Sequence, residues 1–210
     1  MGGTANVYID GFNLYYGALK DNPSCKWLDL ESYFATLLPP GLELNRVRYF
    51  TAPVKPTAMD RDQPSRQASY LQAIAETQPK TSVHKGQFQR NKSKLPLASD
   101  PTKLVRVVKM EEKGSDVNLA SYLLFDAFEN EAECALVVTD DFDQIEPLRM
   151  AREELGRTIG IVSPRRRPKL SRTVGAAFYR PVYTSDLAGN QLPDTVQGLR
   201  GPIHRPRSWA

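Results

Sequence analysis

The segment from Cys134 to Thr139 reads Cys-Ala-Leu-Val-Val-Thr and is apolar without alternation. A strand of that kind is buried on both faces, as in a parallel sheet covered by helices on each side. The rest of the chain follows the same plan. Asn6 to Ile9 is a short apolar strand ending at Asp10-Gly11, and Phe12 to Lys20 reads as helical. Asp29 caps a helix carrying Leu30, Tyr33, Phe34, Leu37 and Leu38, which Pro39-Pro40-Gly41 stops. Arg46 to Thr51 is a strand, and Gln67 to Thr77 has helical spacing. Val83 and Phe88 mark a strand, and residues 89–103 read as a loop or a hairpin excursion. Leu104 to Met110 is β-rich, and Val117 to Phe128 is a helix with a broad apolar face. Asp143 to Leu155 is a helix stopped at Gly156, and Thr158 to Val162 is a strand. Alternating strands and helices predict an α/β domain with a mostly parallel sheet.

Several classes drop out. No stretch approaches 18 apolar residues, so no membrane partner is expected. Met1-Gly2-Gly3-Thr4 runs straight into a strand and shows no secretory leader. Cys25 and Cys134 are too few for a disulfide framework and read as free core thiols of a cytoplasmic protein. With only His84 and His204, chemistry that needs a histidine triad or a histidine-rich zinc site is not expected. A formal charge of +4 permits an anionic partner without demonstrating one. The basic residues gather late. From Pro164 to Ala210 there are nine of them against two acids, beginning with Arg165-Arg166-Arg167 directly after a strand. From Tyr183 onward apolar periodicity is poor, which reads as an extended arm packed on the body or on a partner.

The acids carry the chemistry. Ligands of open parallel sheets sit outside the carboxyl ends of the strands. Asp10 ends the first strand, Asp116 opens the helix after the Leu104–Met110 strand, and Asp140, Asp141 and Asp143 follow the Cys134–Thr139 strand. If those strands are neighbours, acids from three distant segments meet on one rim. Two carboxylates about 5 Å apart at an effective dielectric of 20 repel by roughly 3 kcal/mol. A hard divalent cation, Mg²⁺ or Mn²⁺, offsets that cost. Each of Asp29, Asp116 and Asp143 taken alone also fits a helix cap. The set, with Asn13 three residues beyond Asp10, fits a metal site better. No Gly-x-x-x-x-Gly-Lys loop and no Gly-x-Ser-x-Gly elbow is present. An aspartyl-nucleophile phosphatase would want an acid at position 12, where Phe12 stands. What fits is a carboxylate-held metal activating water against a phosphodiester. Lys109, Lys113, Arg149, Arg152 and Arg165, Arg166 and Arg167 are candidates to grip the substrate backbone, although each also fits a solvated face.

Three segments carry a resemblance. They are Tyr8-Ile9-Asp10-Gly11-Phe12-Asn13-Leu14-Tyr15, Lys113-Gly114-Ser115-Asp116-Val117-Asn118-Leu119-Ala120 and Val138-Thr139-Asp140-Asp141-Phe142-Asp143. Together they resemble the three motifs of NYN domains, a branch of the PIN-like nuclease superfamily, and most of all the bacterial group once labelled DUF88. The likeness spans most of residues 5–163, and the endings around Asp186-Leu187-Ala188, Gln191–Asp194 and Ile203–Pro206 are similar too. It implies a three-layer α/β/α, Rossmann-like domain over residues 1–183 with an arm over 184–210, and a metal-dependent endoribonuclease site. Asp10, Asp116 and Asp141 match the family's metal-binding acids. Asp143 matches its further acid, Asn13 its orienting polar residue and Thr139 its small hydroxyl residue. Where relatives often show Ser-Asn-Asp-Ser-Asp or Ser-Gly-Asp-Ser-Asp, this chain has Thr139-Asp140-Asp141-Phe142-Asp143, so extra charge and bulk are expected beside the metal.

The mechanism expected on this basis is in-line attack by metal-activated water, leaving a 5′-phosphate and a 3′-hydroxyl. The partner would be single-stranded RNA or structured loops, whose bases can stack on Tyr15, Tyr16 or Phe142. Tyr15 and Tyr16 fit core positions more readily. Two other readings compete. One is a module of this fold that binds RNA or protein without cutting. The other is a toxin or defence-system subunit whose arm docks a second copy or a partner protein.

Overall fold

The computed structural model describes residues 3–210; Met1 and Gly2, at the head of the expected first segment, lie outside the described residues. The chain runs β1 (Gly3–Asp10), α1 (Gly11–Leu14), α2 (Leu30–Thr36), β2 (Leu42–Thr51), α3 (Gln63–Thr77), β3 (Thr81–Lys85), β4 (Gln87–Leu97) and β5 (Asp100–Lys113). It continues through α4 (Ser115–Phe128), β6 (Cys134–Val138), α5 (Ile145–Glu153), β7 (Thr158–Ser163), α6 (Lys169–Thr173), β8 (Phe178–Pro181), α7 (Thr184–Ala188), β9 (Thr195–Gly198) and β10 (Gly201–His204). Six strands form one parallel sheet in the order β3-β2-β1-β6-β7-β8. The chain order reverses between β1 and β6, so the crevice at their carboxyl ends is the place where such sheets bind ligands.

Alternation along β1 divides the core. Val7 and Ile9 face one side with Trp27, Phe34, Val47, Tyr49 and Ile74, under α2 and α3. Tyr8 faces the other with Phe50, Leu123, Val137, Leu148 and Ile161, under α4 and α5. These are the three layers expected. β6 is buried at every residue, as its unbroken apolar run requires. Cys25 and Cys134 are free and buried. Among the described residues no helix is long and apolar enough to cross a membrane.

Several elements differ from the sequence reading. Val83 and Phe88 lie in two separate strands, β3 in the sheet and β4 outside it. The Leu104–Met110 strand is part of β5, which pairs only with β4 in an antiparallel ribbon and never joins the central sheet. Asp116 therefore reaches the rim from that ribbon and not from a sheet strand. The expected helix over residues 12–20 is one turn of α-helix followed by a wider π turn, Tyr15–Leu19. β8 is a sixth sheet strand inside the basic stretch after Pro164. The final segment lies on the body: Leu187, Leu192, Val196 and Ile203 are buried in the α2–α3 core, and Trp209 packs against Trp27 and Tyr70.

One buried ion pair braces the α4 side. The Arg48 guanidinium donates twice to Asp126, Nε to Oδ2 and Nη2 to Oδ1, each at 2.6 Å. The Tyr8 hydroxyl donates to the same carboxylate at 2.9 Å, and the guanidinium lies 4.5 Å from the Tyr122 ring centre. Removing one partner of such a pair strands the other charge in the interior. Asp126→Ala is therefore expected to cost about 3–5 kcal/mol, read as a lowered urea midpoint. Replacing Arg48 and Asp126 together by apolar residues is expected to recover part of that loss.

Candidate metal centre

Asp10 leaves β1 at its carboxyl end and caps α1. Its Oδ1 accepts from the Asn13 backbone N–H at 2.9 Å, and its Oδ2 accepts from the Asn13 side-chain amide at 2.9 Å. Gly11 allows this tight exit, since a Cβ there would stand 2.6 Å from the Phe50 carbonyl of β2. Thr139, fully buried just beyond β6, joins two of the acids. Its hydroxyl donates to Asp10 Oδ2 at 3.2 Å and accepts from the Asp141 N–H at 3.0 Å. Asp141 in turn caps a short 3₁₀ turn, its Oδ1 accepting from the Asp143 N–H at 3.0 Å. Asp116 arrives in the first turn of α4, after Gly114 turns the chain out of β5 with φ +100°. A left-handed conformation of that kind favours glycine.

One carboxylate oxygen from each of Asp10, Asp116 and Asp141 lies within 4.8 Å of the other two. Among the described residues no ion pair involves any of the three. Burial, offset in part by the Asn13 and Thr139 hydrogen bonds, raises the Asp10 pKa above the ordinary carboxylate value. Burial, and then the charges of Asp10 and Asp141, push Asp116 up to about 6. The donors are all carboxylate oxygens, the set that hard divalent ions such as Mg²⁺ and Mn²⁺ select over softer metals. A cation there would offset the burial penalty and the mutual repulsion that raise these pKa values.

The other candidates divide. Asn13 holds Asp10 and also accepts, through its Oδ1, from Arg165 Nη1 at 2.9 Å and from the Asp140 N–H at 3.2 Å. Arg165 thus stands on the rim. Arg166 and Arg167 are exposed beside it, and the Arg167 N–H donates to Ser163 Oγ at 2.7 Å. Asp143 is exposed and lies outside the trio, although its charge contributes to the raised Asp116 pKa. Asp140 does not add its charge to the trio as expected. Its carboxylate accepts from the Ser163 hydroxyl and from the Arg165 N–H, so it ties down the loop after β7. Phe142 lies beneath the Lys169 ammonium, which is 5.1 Å from the ring centre. Lys109 and Lys113 both pair with Glu111 on the β5 strand. Arg149 pairs with Glu146, Glu153 and Glu154, and Arg152 with Glu153, so these two are surface charges already compensated on α5.

Sequence reasoning missed a cavity of about 310 Å³ that begins at Gly11 and Phe12, the residues directly after Asp10. Tyr15, Tyr16, Tyr70 and Trp209 supply aromatic walls, and Lys26 and the Arg66–Asp60 ion pair supply charge. Tyr16 is exposed, against the core position expected for it. Trp209 comes from the far end of the chain, and no local pattern could have placed it there.

The raised pKa values carry a sign. An acid that titrates near 6 in the fold and near 3.8 when unfolded stabilises least where it is ionised, so its contribution is lost as pH rises from about 4 to about 6. In EDTA, Asp116→Asn is expected to melt above the parent protein at pH 7 and level with it near pH 4. Added Mn²⁺ should raise the melting temperature of the parent and leave that of the variant unmoved. Thermal melts at the two pH values, with and without the ion, check both points.

No protein-family model matches the chain. It is 31% identical to 6-hydroxy-3-succinoylpyridine 3-monooxygenase HspA of Pseudomonas putida over an alignment of 233 positions, which covers 97% of this chain and 74% of that protein. Among solved structures, a protein of unknown function from Vibrio parahaemolyticus superposes with a TM-score of 0.49 and 12% identity, over 91% of this chain and 97% of that one. With that identity sustained along nearly its whole length, the chain belongs to the family of 6-hydroxy-3-succinoylpyridine 3-monooxygenase HspA.

Proposed function

We propose that this protein is a divalent-metal-dependent endoribonuclease of the NYN type, acting in the cytoplasm on single-stranded or looped RNA. The observation that carries the reading is the convergence of Asp10, Asp116 and Asp141, with oxygens within 4.8 Å and no ion pair to any of them among the described residues. Mg²⁺ or Mn²⁺ held there supplies an activated water and charge neutralisation for phosphodiester hydrolysis. The chain's own residues do the rest. Asn13 and Thr139 hold Asp10 and Asp141 in place, and Asn13 also fixes Arg165 at the rim, where its guanidinium suits a phosphate oxygen. Asp143 stands two residues beyond Asp141 as an exposed acid.

Purified protein with Mn²⁺ is expected to cut a mixed pool of single-stranded RNAs, and EDTA to stop it. Asp10→Asn should reduce the rate at least about 100-fold, and Asn13→Ala, which removes a positioning group, about 10–100-fold. Intact RNA in the presence of Mn²⁺, identical for parent and Asp10→Asn, would overturn the reading.

The aromatic cavity favours a second reading. A planar ring with an acidic arm would find ring faces in Tyr15 and Trp209 and a cation in Lys26, in a cavity that begins directly after Asp10. The relative named for action on 6-hydroxy-3-succinoylpyridine points to such a compound. Incubation of that compound with the protein, dioxygen and a reductant, followed by chromatography, tests this reading. A new hydroxylated product that disappears in Tyr15→Ala supports it, and unchanged starting material rejects it.

A further inference from the structure

The β4–β5 ribbon stands apart from the sheet, and its two faces differ. Ten consecutive pairs, from Gln87↔Lys113 to Pro96↔Leu104, give it a length of about 30 Å. Residues 87–113 contain seven basic and three acidic side chains. Directly opposed residues of an antiparallel pair share a face, and every second residue along each strand joins them. One face therefore collects Arg90, Lys92, Lys94 and Arg106, through the pairs Arg90↔Met110, Lys92↔Val108 and Lys94↔Arg106. None of these four forms an ion pair among the described residues, and all four are exposed. The opposite face carries Lys109 and Lys113, which share one acid, Glu111.

The base of the cationic face meets the metal centre. Phe88, on that face, packs edge-on against Phe12 with ring centres 5.6 Å apart, and Phe12 is two residues beyond Asp10. Its opposed residue Glu112 accepts from the hydroxyl of Ser115, the residue directly before Asp116, at 2.8 Å. Arg90, Lys92 and Lys94 then follow outward at every second residue, about 7 Å apart. That is near the spacing of successive phosphates in an extended nucleic-acid strand.

We propose that this face of the ribbon is a track for the phosphate backbone of RNA, leading the strand to the carboxylate trio. The inference rests on the endoribonuclease reading for its choice of polyanion, and its test is separate from cleavage. Binding of fluorescein-labelled oligouridylate to the full-length protein is measured in EDTA, across a series of KCl concentrations. Each phosphate contact contributes about −0.7 to the slope of log K against log salt for a single strand. The combined variant Arg90→Gln, Lys92→Gln, Lys94→Gln and Arg106→Gln is expected to flatten that slope by about 3 and to weaken low-salt binding more than about tenfold. Lys109→Gln, on the other face, is expected to leave the slope unchanged. If the combined variant fails to fold, Lys92→Gln and Lys94→Gln singly carry the test, each flattening the slope by about 0.7.

An unchanged slope in the folded variants overturns the proposal. It is overturned too if the protein binds no RNA and sediments as a dimer that Leu104→Ser and Val108→Ser dissociate, since the ribbon's exposed apolar residues would then serve a second copy. Cleavage with Mn²⁺ is scored apart from these results. Ribbon-dependent binding without products keeps the track and ends the nuclease reading. Cleavage by the combined variant at the parent's KM and salt dependence does the reverse.

Discussion

Same-sign charges do not gather unless something holds them, and here the backbone does. β1 lies between β2 and β6, with Ile9 paired to Tyr49 on one side and to Val138 on the other. That double pairing settles where Asp10 and Thr139 emerge, side by side at the carboxyl edge. The Thr139 hydroxyl then serves Asp10 and Asp141 at once. The orientation of these two carboxylates is thus maintained by neutral donors, with no counterion consumed. The negative potential stays available to a ligand.

The contrast with Asp126 makes the point. Both Asp10 and Asp126 are almost wholly buried, and both sit against the same sheet. Asp126 is matched by a bidentate arginine and a tyrosine hydroxyl, which closes its chemistry and leaves it a brace. Asp10 receives only an amide side chain, a backbone N–H and a hydroxyl, and its pKa is raised. A buried acid with no ion-pair partner among the described residues, beside two more of its kind, is costly for folding alone. Such an arrangement marks a candidate functional site.

Much of this was legible from residue order. The apolar run at 134–139 announced a doubly covered strand, and the acids placed directly after strand positions pointed to one rim. What escaped did so for physical reasons. β5 has the composition of a sheet strand, but its partner is its own hairpin neighbour, and composition does not say which strand will pair with which. β8 is a four-residue edge strand containing Arg180 and ending in Pro181, features that blunt an edge and mask a strand together. Asp140 and Asp141 are adjacent and chemically identical, and only the backbone direction after Thr139 sends one to Ser163 and the other to the trio. The alternation Arg90, Lys92, Lys94 is visible in the sequence. It acquires meaning only once residues 89–97 are known to be extended.

The sheet order has a consequence for the timing of assembly. β1 is made first, yet one of its two partners is β6, more than a hundred residues later. While more than a hundred residues are added on the ribosome, a chain holds Asp10 without Asp141 to oppose it. Long-range pairings of this kind also form slowly. A polypeptide that stops short of β6 therefore lacks the centre, and whatever chemistry the trio performs begins only after the codon for Asp141 has been read.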